Sequence, residues 1–207
     1  MGYIPKVALY ETVTVATANI VELATVKANA NIDHDDDDAI IQLYIDTATE
    51  EVERLTNRLL NAVSLRGNYP GFKVVSTEYD YFVELERAPV RQVTAVQRFD
   101  VQTNDYVDIS TDDYEIRQTS TFWRVLFYPY SAVNFIGITA TGQRVPYPIR
   151  VTFDAGYADV NSVPNKIKMA IIHYATWLYN NRGDCADEKL PDHIDRLIGG
   201  CRVLRHY

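Results

Sequence analysis

The sequence has little of what secreted scaffolds, membrane proteins and zinc proteins require. It contains two cysteines, Cys185 and Cys201, which are too few for a disulfide-stapled scaffold or a four-cysteine zinc site. No stretch approaches the roughly 18 uninterrupted apolar residues of a membrane-spanning helix, and residues 1–15 lack the pattern of a secretory signal. We therefore expect free thiols, a soluble protein made inside the cell, and no membrane partner.

Positive charge is also scarce. Lys and Arg total 20 against 28 Asp and Glu, which gives a formal net charge of −8 in 207 residues. A protein that binds nucleic acid through phosphate neutralisation needs a concentrated basic surface, whereas an acidic surface repels DNA. The composition therefore argues against a nucleic-acid-binding protein.

No catalytic constellation stands out. The four histidines have no zinc-ligand spacing, and neither a Gly-x-Ser-x-Gly nor a phosphate-binding glycine loop occurs. The run from Asp33 to Asp38 begins like a calcium loop, but Asp38 lies where that loop needs Gly and Tyr44 where it needs Glu. We expect no catalytic residue, metal or cofactor, and a metal-dependent hydrolase that uses this run is the less favoured alternative.

A long amphipathic helix is predicted over residues 36–58. Its apolar residues recur every three or four positions and form one stripe: Ile41, Tyr44, Ile45, Ala48, Val52, Leu55 and Leu59. Asp35 or Asp36 is expected to cap the N-terminus, and Glu50 to pair with Arg54 one turn later.

Three further helices complete a predicted helical bundle. A short one lies between Asn19 and Asn31, a second covers 164–181 with Pro164 in its first turn, and a third covers 191–199. Residues 62–71 are predicted to be a loop because glycine, asparagine and proline cluster there. Alternating apolar residues then predict an antiparallel meander inserted at 72–153, so the fold class is α+β.

The predicted organisation has three parts. Residues 1–18 are expected to be an extended arm or edge strand, 19–200 a single domain, and 201–207 a basic tail. Within the β region, the proline- and glycine-containing segment 128–148 is predicted to project as a loop with an apolar tip.

Tyrosine is abundant, with 15 copies. Half-buried packing in strands is one explanation, and anchoring of a protein interface is the other, because tyrosine combines large area with a hydrogen-bonding group. As candidate tail-side or subunit-interface residues we single out five in or beside the projecting loop: Tyr130, Phe135, Ile136, Ile138 and Tyr147.

Four segments, in order, resemble the head-tail connector (adaptor) proteins of long-tailed bacteriophages and prophages. They are VELATVKANANID, DDDDAIIQLYIDTATEEVERLTNRLL, VTFDAGYADV and VPNKIKMAIIHYATWLYNNR. The second matches the family's Ala-Thr-x-x-Val-Glu-x-x-Thr-x-Arg stretch at Ala48, Thr49, Val52, Glu53, Thr56 and Arg58. Both ends of the chain and residues 128–148 depart from the family pattern.

The resemblance implies a structural protein of the virion, made in the host cytoplasm and located at the head-tail interface. It implies a homo-oligomeric ring, usually of twelve copies, between the portal and the stopper or tail proteins, with DNA passing through its lumen without sequence-specific binding. The candidate portal-interface residues are those of the C-terminal segment: Arg202, Val203, Leu204, Arg205, His206 and Tyr207. A stopper or tail-terminator protein is the alternative within virion assembly.

Overall fold

A computed structural model describes residues 8–15, 18–75, 80–118, 123–128, 145–182 and 190–203. Within these ranges the chain forms α-helices and two antiparallel sheets, which confirms the α+β class. It divides into two compact units. A β unit comprises Met1–Val15 and Ala62–Gly156, and a helical unit comprises Ala16–Asn61 and Tyr157–Tyr207.

The helical unit contains the four predicted helices, with small shifts at their ends. They are α1 (Leu23–Ala30), α2 (Asp38–Thr56), α3 (Asn165–Asn180) and α4 (Asp192–Gly199). The apolar stripe of α2 is buried as expected at Ile41, Ile45, Ala48 and Val52. These side chains share one core with apolar residues of the other helices, among them Val26, Ile167, Ile171, Ala175, Ile194 and Ile198.

Two details of α2 differ from the prediction. The residue at the N-cap is Asp37 rather than Asp35 or Asp36, and its side chain makes no capping hydrogen bond. Arg54 pairs with Glu51, three residues earlier and at 2.6 Å, instead of with Glu50. Both spacings bring side chains to one helix face, so sequence alone did not decide between the two glutamates.

The β unit contains nine strands within the described residues. They are β1 (Leu9–Val15), β2 (Val63–Tyr69), β3 (Lys73–Val75), β4 (Asp80–Leu85), β5 (Val90–Asp100), β6 (Asp105–Asp108), β7 (Tyr114–Gln118), β8 (Trp123–Phe127) and β9 (Ile149–Ala155). One sheet has the order β1-β2-β9-β5-β6 and the other the order β3-β4-β8-β7. The antiparallel prediction is correct, but a simple meander is wrong, because β9 lies between β2 and β5.

The predicted loop at 62–71 is also wrong, because most of it is strand β2. Gly67 lies in the middle of this strand, and a Cβ atom there would stand 2.8 Å from the ring of Tyr69. A glycine inside a strand often marks such a close approach, in this case by an aromatic ring. The connection from β4 to β5 contains a cis peptide bond between Ala88 and Pro89.

The five-stranded sheet has one apolar face and one polar face. Along β9, Ile149, Val151, Phe153 and Ala155 are fully buried, while the residues between them are partly exposed. This alternation is what a period of two produces when one face packs into a core.

Candidate assembly surfaces

Strand β1 is an edge of the five-stranded sheet and is unusually apolar for an exposed edge. It pairs antiparallel with β2, with a register shift between Thr12 and Thr14. Leu9, Val13 and Val15 are 49%, 47% and 60% exposed. An edge strand presents unpaired backbone groups that can join another chain, and proteins usually protect it with lysine or proline. Residues 9–15 contain neither.

Tyr10 fastens β1 to the sheet. Its ring packs edge-on against Tyr69 and Phe153, each with centroids 6.3 Å apart. The Tyr10 hydroxyl lies 3.5 Å from that of Tyr69 and accepts a 3.3 Å hydrogen bond from the Glu86 N–H. Burial raises the pKa of Tyr10 and, more strongly, that of Tyr69. The edge is therefore held in place by the half-buried phenol of Tyr10 packed on the buried phenol of Tyr69.

A row of interacting polar side chains crosses the polar face of the same sheet. Asn68 donates a 2.9 Å hydrogen bond to Glu11 and accepts one of 3.1 Å from the Arg150 Nε. The Arg150 guanidinium lies 3.5 Å from the centroid of the Tyr106 ring, a cation–π distance. The Tyr106 hydroxyl then donates a 2.6 Å hydrogen bond to the carbonyl of Tyr147.

This row gives the position of Tyr147, one of the candidate interface residues. Tyr147 immediately precedes β9, and its backbone is tied to β6 through Tyr106. Its side chain is partly exposed, so it stays a candidate contact. Tyr130, Phe135, Ile136 and Ile138 lie outside the described residues.

The candidate portal residues that the structure describes are Arg202 and Val203. Val203 is 4% exposed, and its N–H donates a 2.9 Å hydrogen bond to the carbonyl of Thr56. Its own carbonyl accepts a 3.0 Å bond from Asn57. Arg202 pairs with Asp195 of α4 at 2.5 Å. Leu204, Arg205, His206 and Tyr207 lie outside the described residues.

The start of the tail is therefore joined to the end of α2. Arg58, just after α2, donates a 2.7 Å hydrogen bond to the Cys201 carbonyl and lies 3.3 Å from the Tyr157 hydroxyl. The portal hypothesis remains a prediction, but the buried Val203 side chain could meet a partner only if this segment left its place.

The acidic run connects helices through ion pairs and hydrogen bonds. Asp37 accepts 2.7 Å hydrogen bonds from the Tyr179 hydroxyl and from Arg182, and these bonds lower its pKa. Lys27 of α1 lies 2.5 Å from Asp35 and 2.7 Å from Asp38. The bond to Lys27 lowers the pKa of Asp35.

Within the described ranges, no group of three or more His, Cys, Asp or Glu side chains is arranged to hold a metal ion. No described helix is both long enough and apolar enough to cross a membrane.

The edge formed by β1 was not among the candidate interface residues chosen from sequence. The sequence does favour an apolar strand here, since LYETVTV combines strand-forming residues with a single charged side chain. What the sequence did not reveal is that Leu9, Val13 and Val15 remain exposed once the strand has paired with β2.

Solved structures with the same fold come from phage-like particles. A chain in the neck of an empty gene transfer agent (GTA) particle, computed with C6 symmetry, is 20% identical, with a TM-score of 0.67 over 96% of this chain and 97% of that chain. A chain in the virion of the native GTA particle has the same identity and coverage and a TM-score of 0.68. A chain in the native GTA neck, computed with C12 symmetry, is also 20% identical. Its TM-score is 0.60, and the alignment covers 94% of this chain and 96% of that chain. At this identity the likeness establishes a shared fold.

The family comparison is more specific. Residues 20–118 match the model of the phage gp6-like head-tail connector proteins, which confirms the resemblance to the head-tail connector family. The matched part includes α1, α2 and strands β2 to β7. No curated protein matches the chain.

Proposed function

We propose that this protein is a structural head-tail adaptor of a phage or phage-like particle. It forms a ring, of twelve copies in the virion, between the portal and the stopper or tail proteins. The observation that carries the proposal is the match of residues 20–118 to the head-tail connector family. The fold it shares with chains of a GTA neck, over nearly the whole length of both, supports the same role.

The symmetry of those neck structures supports a ring. They were computed with C6 and C12 symmetry, which fits a twelve-copy ring or a ring of six related pairs. A cyclic ring uses two different surfaces of each subunit, one for each neighbour. DNA passes through the lumen without sequence-specific contacts, and a net charge of −8 favours passage over adhesion.

The role proposed is not enzymatic. Three of the carboxylates that a hydrolase would need for a metal, Asp35, Asp37 and Asp38, are already paired with Lys27 or Arg182. A carboxylate neutralised by an internal cation is a weaker metal ligand, because the cation has to be displaced first. Ion pairing between helices therefore explains the acidic run better than metal binding does.

End-on electron microscopy of the purified protein mixed with the portal protein of the same genome tests this role. We expect a ring stacked coaxially on the portal. A bare portal, together with a ring that binds only tail-side proteins, would indicate the stopper or tail-terminator alternative. A bare portal beside a monomer that binds neither set of proteins would reject the virion role.

The contact with the portal is proposed to involve the C-terminal segment. Deleting residues 201–207 would also remove Val203 and the hydrogen bonds at the end of α2, so loss of binding would be ambiguous. Deleting only residues 204–207 keeps those bonds. Loss of portal binding with unchanged thermal stability supports the contact, whereas full binding by this shorter chain places the contact elsewhere.

A further inference from the structure

We propose that strand β1 of one copy pairs edge to edge with strand β7 of the next copy, so that sheets of neighbouring subunits join around the ring. This inference rests on the proposed ring and names the contact that closes it. Its starting point is the exposed edge formed by β1, which carries Leu9, Val13 and Val15 and no protective lysine or proline.

The contact is preorganised on the β1 side. Tyr10 holds the strand against Tyr69 and Phe153, so β1 does not have to be ordered when a partner arrives. Addition of a strand to an existing edge takes its affinity from main-chain hydrogen bonds and its specificity from side chains. A fixed edge lowers the entropic cost of forming such a contact.

Three other strand edges among the described residues could receive β1, and charge argues against β6. Strand β6 exposes Asp105 and Asp108 at its two ends. Because residues three apart lie on opposite faces of a strand, one of these two aspartates would share a face of the joined sheet with the acidic Glu11 of β1. Like charges across a strand pair are unfavourable. The third edge, β3, contains Lys73, and lysine is a residue type that protects strand edges from pairing with another chain.

Strand β7 fits better. It is an edge of the four-stranded sheet and exposes Ile116, whose side chain is similar to the exposed ones of β1. Its Glu115 and Arg117 pair with each other at 3.1 Å, so β7 presents no net negative charge to Glu11. Because β1 and β7 are different surfaces, their pairing is heterologous and can close a ring.

Lysine substitutions on each edge provide a test by complementation. Val13→Lys blocks β1 and leaves β7 intact, whereas Ile116→Lys blocks β7 and leaves β1 intact. Each variant alone is expected to raise the concentration needed for ring assembly by at least about tenfold. Mixing the two variants should produce a heterodimer and nothing larger, because one β7–β1 contact remains possible. Sedimentation velocity measures all three results.

The outcomes separate this contact from other arrangements. Loss of assembly in Val13→Lys with normal rings in Ile116→Lys would mean that β7 is not the partner. Normal rings in both variants would overturn the inference while leaving the adaptor role intact. If the unmodified protein forms no ring even with the portal, the proposed function itself fails. Circular dichroism and thermal melting of each variant show whether it is folded.

Cross-linking provides an independent check of the strand identities. In a background with Cys185 and Cys201 replaced by serine and checked for ring assembly, Val13→Cys combined with Ile116→Cys should give a ladder of covalent multimers with a short bismaleimide. The pair Val13→Cys and Asp105→Cys, on the β6 edge, is the matched control and should give little product. Equal or stronger linking in that control would overturn the assignment to β7.

Discussion

Two tyrosines, the half-buried Tyr10 and the buried Tyr69, join the first strand to the rest of its sheet. Tyr10 contributes two ring contacts, and its hydroxyl meets the Tyr69 hydroxyl and the Glu86 N–H. Removing one partner from a buried polar pair leaves the other without its hydrogen bond, which costs more than the bond itself contributes. The Tyr10 hydroxyl therefore contributes to the free energy of unfolding in addition to the apolar area that the ring buries.

We expect Tyr10→Phe to lower the free energy of unfolding by about 1 kcal/mol, because the ring stays and only the hydroxyl contacts are lost. Urea unfolding measures the change. Tyr128→Phe is the control, since the Tyr128 side chain is 46% exposed, and it should have little effect. Equal losses in the two variants would mean that the Tyr10 hydroxyl contributes nothing particular.

The pairing of Asp37 with Arg182 and Tyr179 predicts a dependence of stability on pH. Its pKa is lowered in the folded protein, so its contribution is complete above the unfolded value of about 3.9 and is lost as pH falls below it. Asp37→Asn should therefore lower the melting temperature relative to the unmodified protein at pH 6, and the gap should narrow at about pH 3.

Differential scanning calorimetry at both pH values measures this gap. Glu50→Gln, which removes an exposed carboxylate from the same helix, is the matched control. A gap for Asp37→Asn that stays constant between the two pH values, or one shared by Glu50→Gln, would contradict the role assigned to Asp37.

Strand β2 shows how pairing with neighbouring strands overrides a local sequence preference for a loop. Glycine, asparagine and proline in 62–71 favour a loop, yet residues 63–69 pair with β1 on one side and β9 on the other. The ring of Tyr69 covers the backbone at Gly67, which leaves no room for a side chain there. Two neighbouring strands stabilise what the local sequence disfavours.

Gly67→Ala should therefore destabilise the β unit, by roughly 1–3 kcal/mol, because the added methyl group displaces the Tyr69 ring from its contact with Tyr10. Gly71→Ala is the matched control, since nothing lies within 4 Å of the Cβ position there. Chemical denaturation compares the two. A Gly67→Ala protein as stable as the control would show that the Tyr69 ring moves at no cost.

Charge is a property of the whole molecule, and it bears on what a DNA channel would need. With a net charge of −8, the subunit repels phosphates on average. A ring built from such subunits would let DNA slide, whereas a basic lumen would retain it. This reasoning concerns the sum of charges and does not depend on any one side chain.

We accordingly expect no binding to double-stranded DNA at physiological salt, as measured by fluorescence anisotropy. A variant with four exposed aspartates, Asp33, Asp36, Asp105 and Asp112, changed to lysine is the comparison. Each change adds two charges, so the formal net charge rises from −8 to zero, and weak, salt-sensitive binding should appear. Salt-sensitive DNA binding by the unmodified protein would contradict the proposal that DNA passes through the lumen without adhering to it.

Local sequence patterns were enough to predict the helices and the fold class. The apolar stripe at Ile41, Ile45, Ala48 and Val52 predicted α2, and Pro164 and Pro191 marked the starts of α3 and α4. Helical periodicity is a local property, since residues three and four apart share a face in any surroundings. The order of the four family segments likewise gave the connector resemblance without a structure.

How distant segments combine depended instead on tertiary contacts that the sequence patterns did not predict. It placed β9 between β2 and β5, made Gly67 part of a strand, and joined Val203 to the end of α2. It also left β1 as an apolar edge, the surface on which the inferred ring contact depends. These outcomes follow from hydrogen bonds and packing between residues far apart in the chain, and local periodicity carries no information about such pairs.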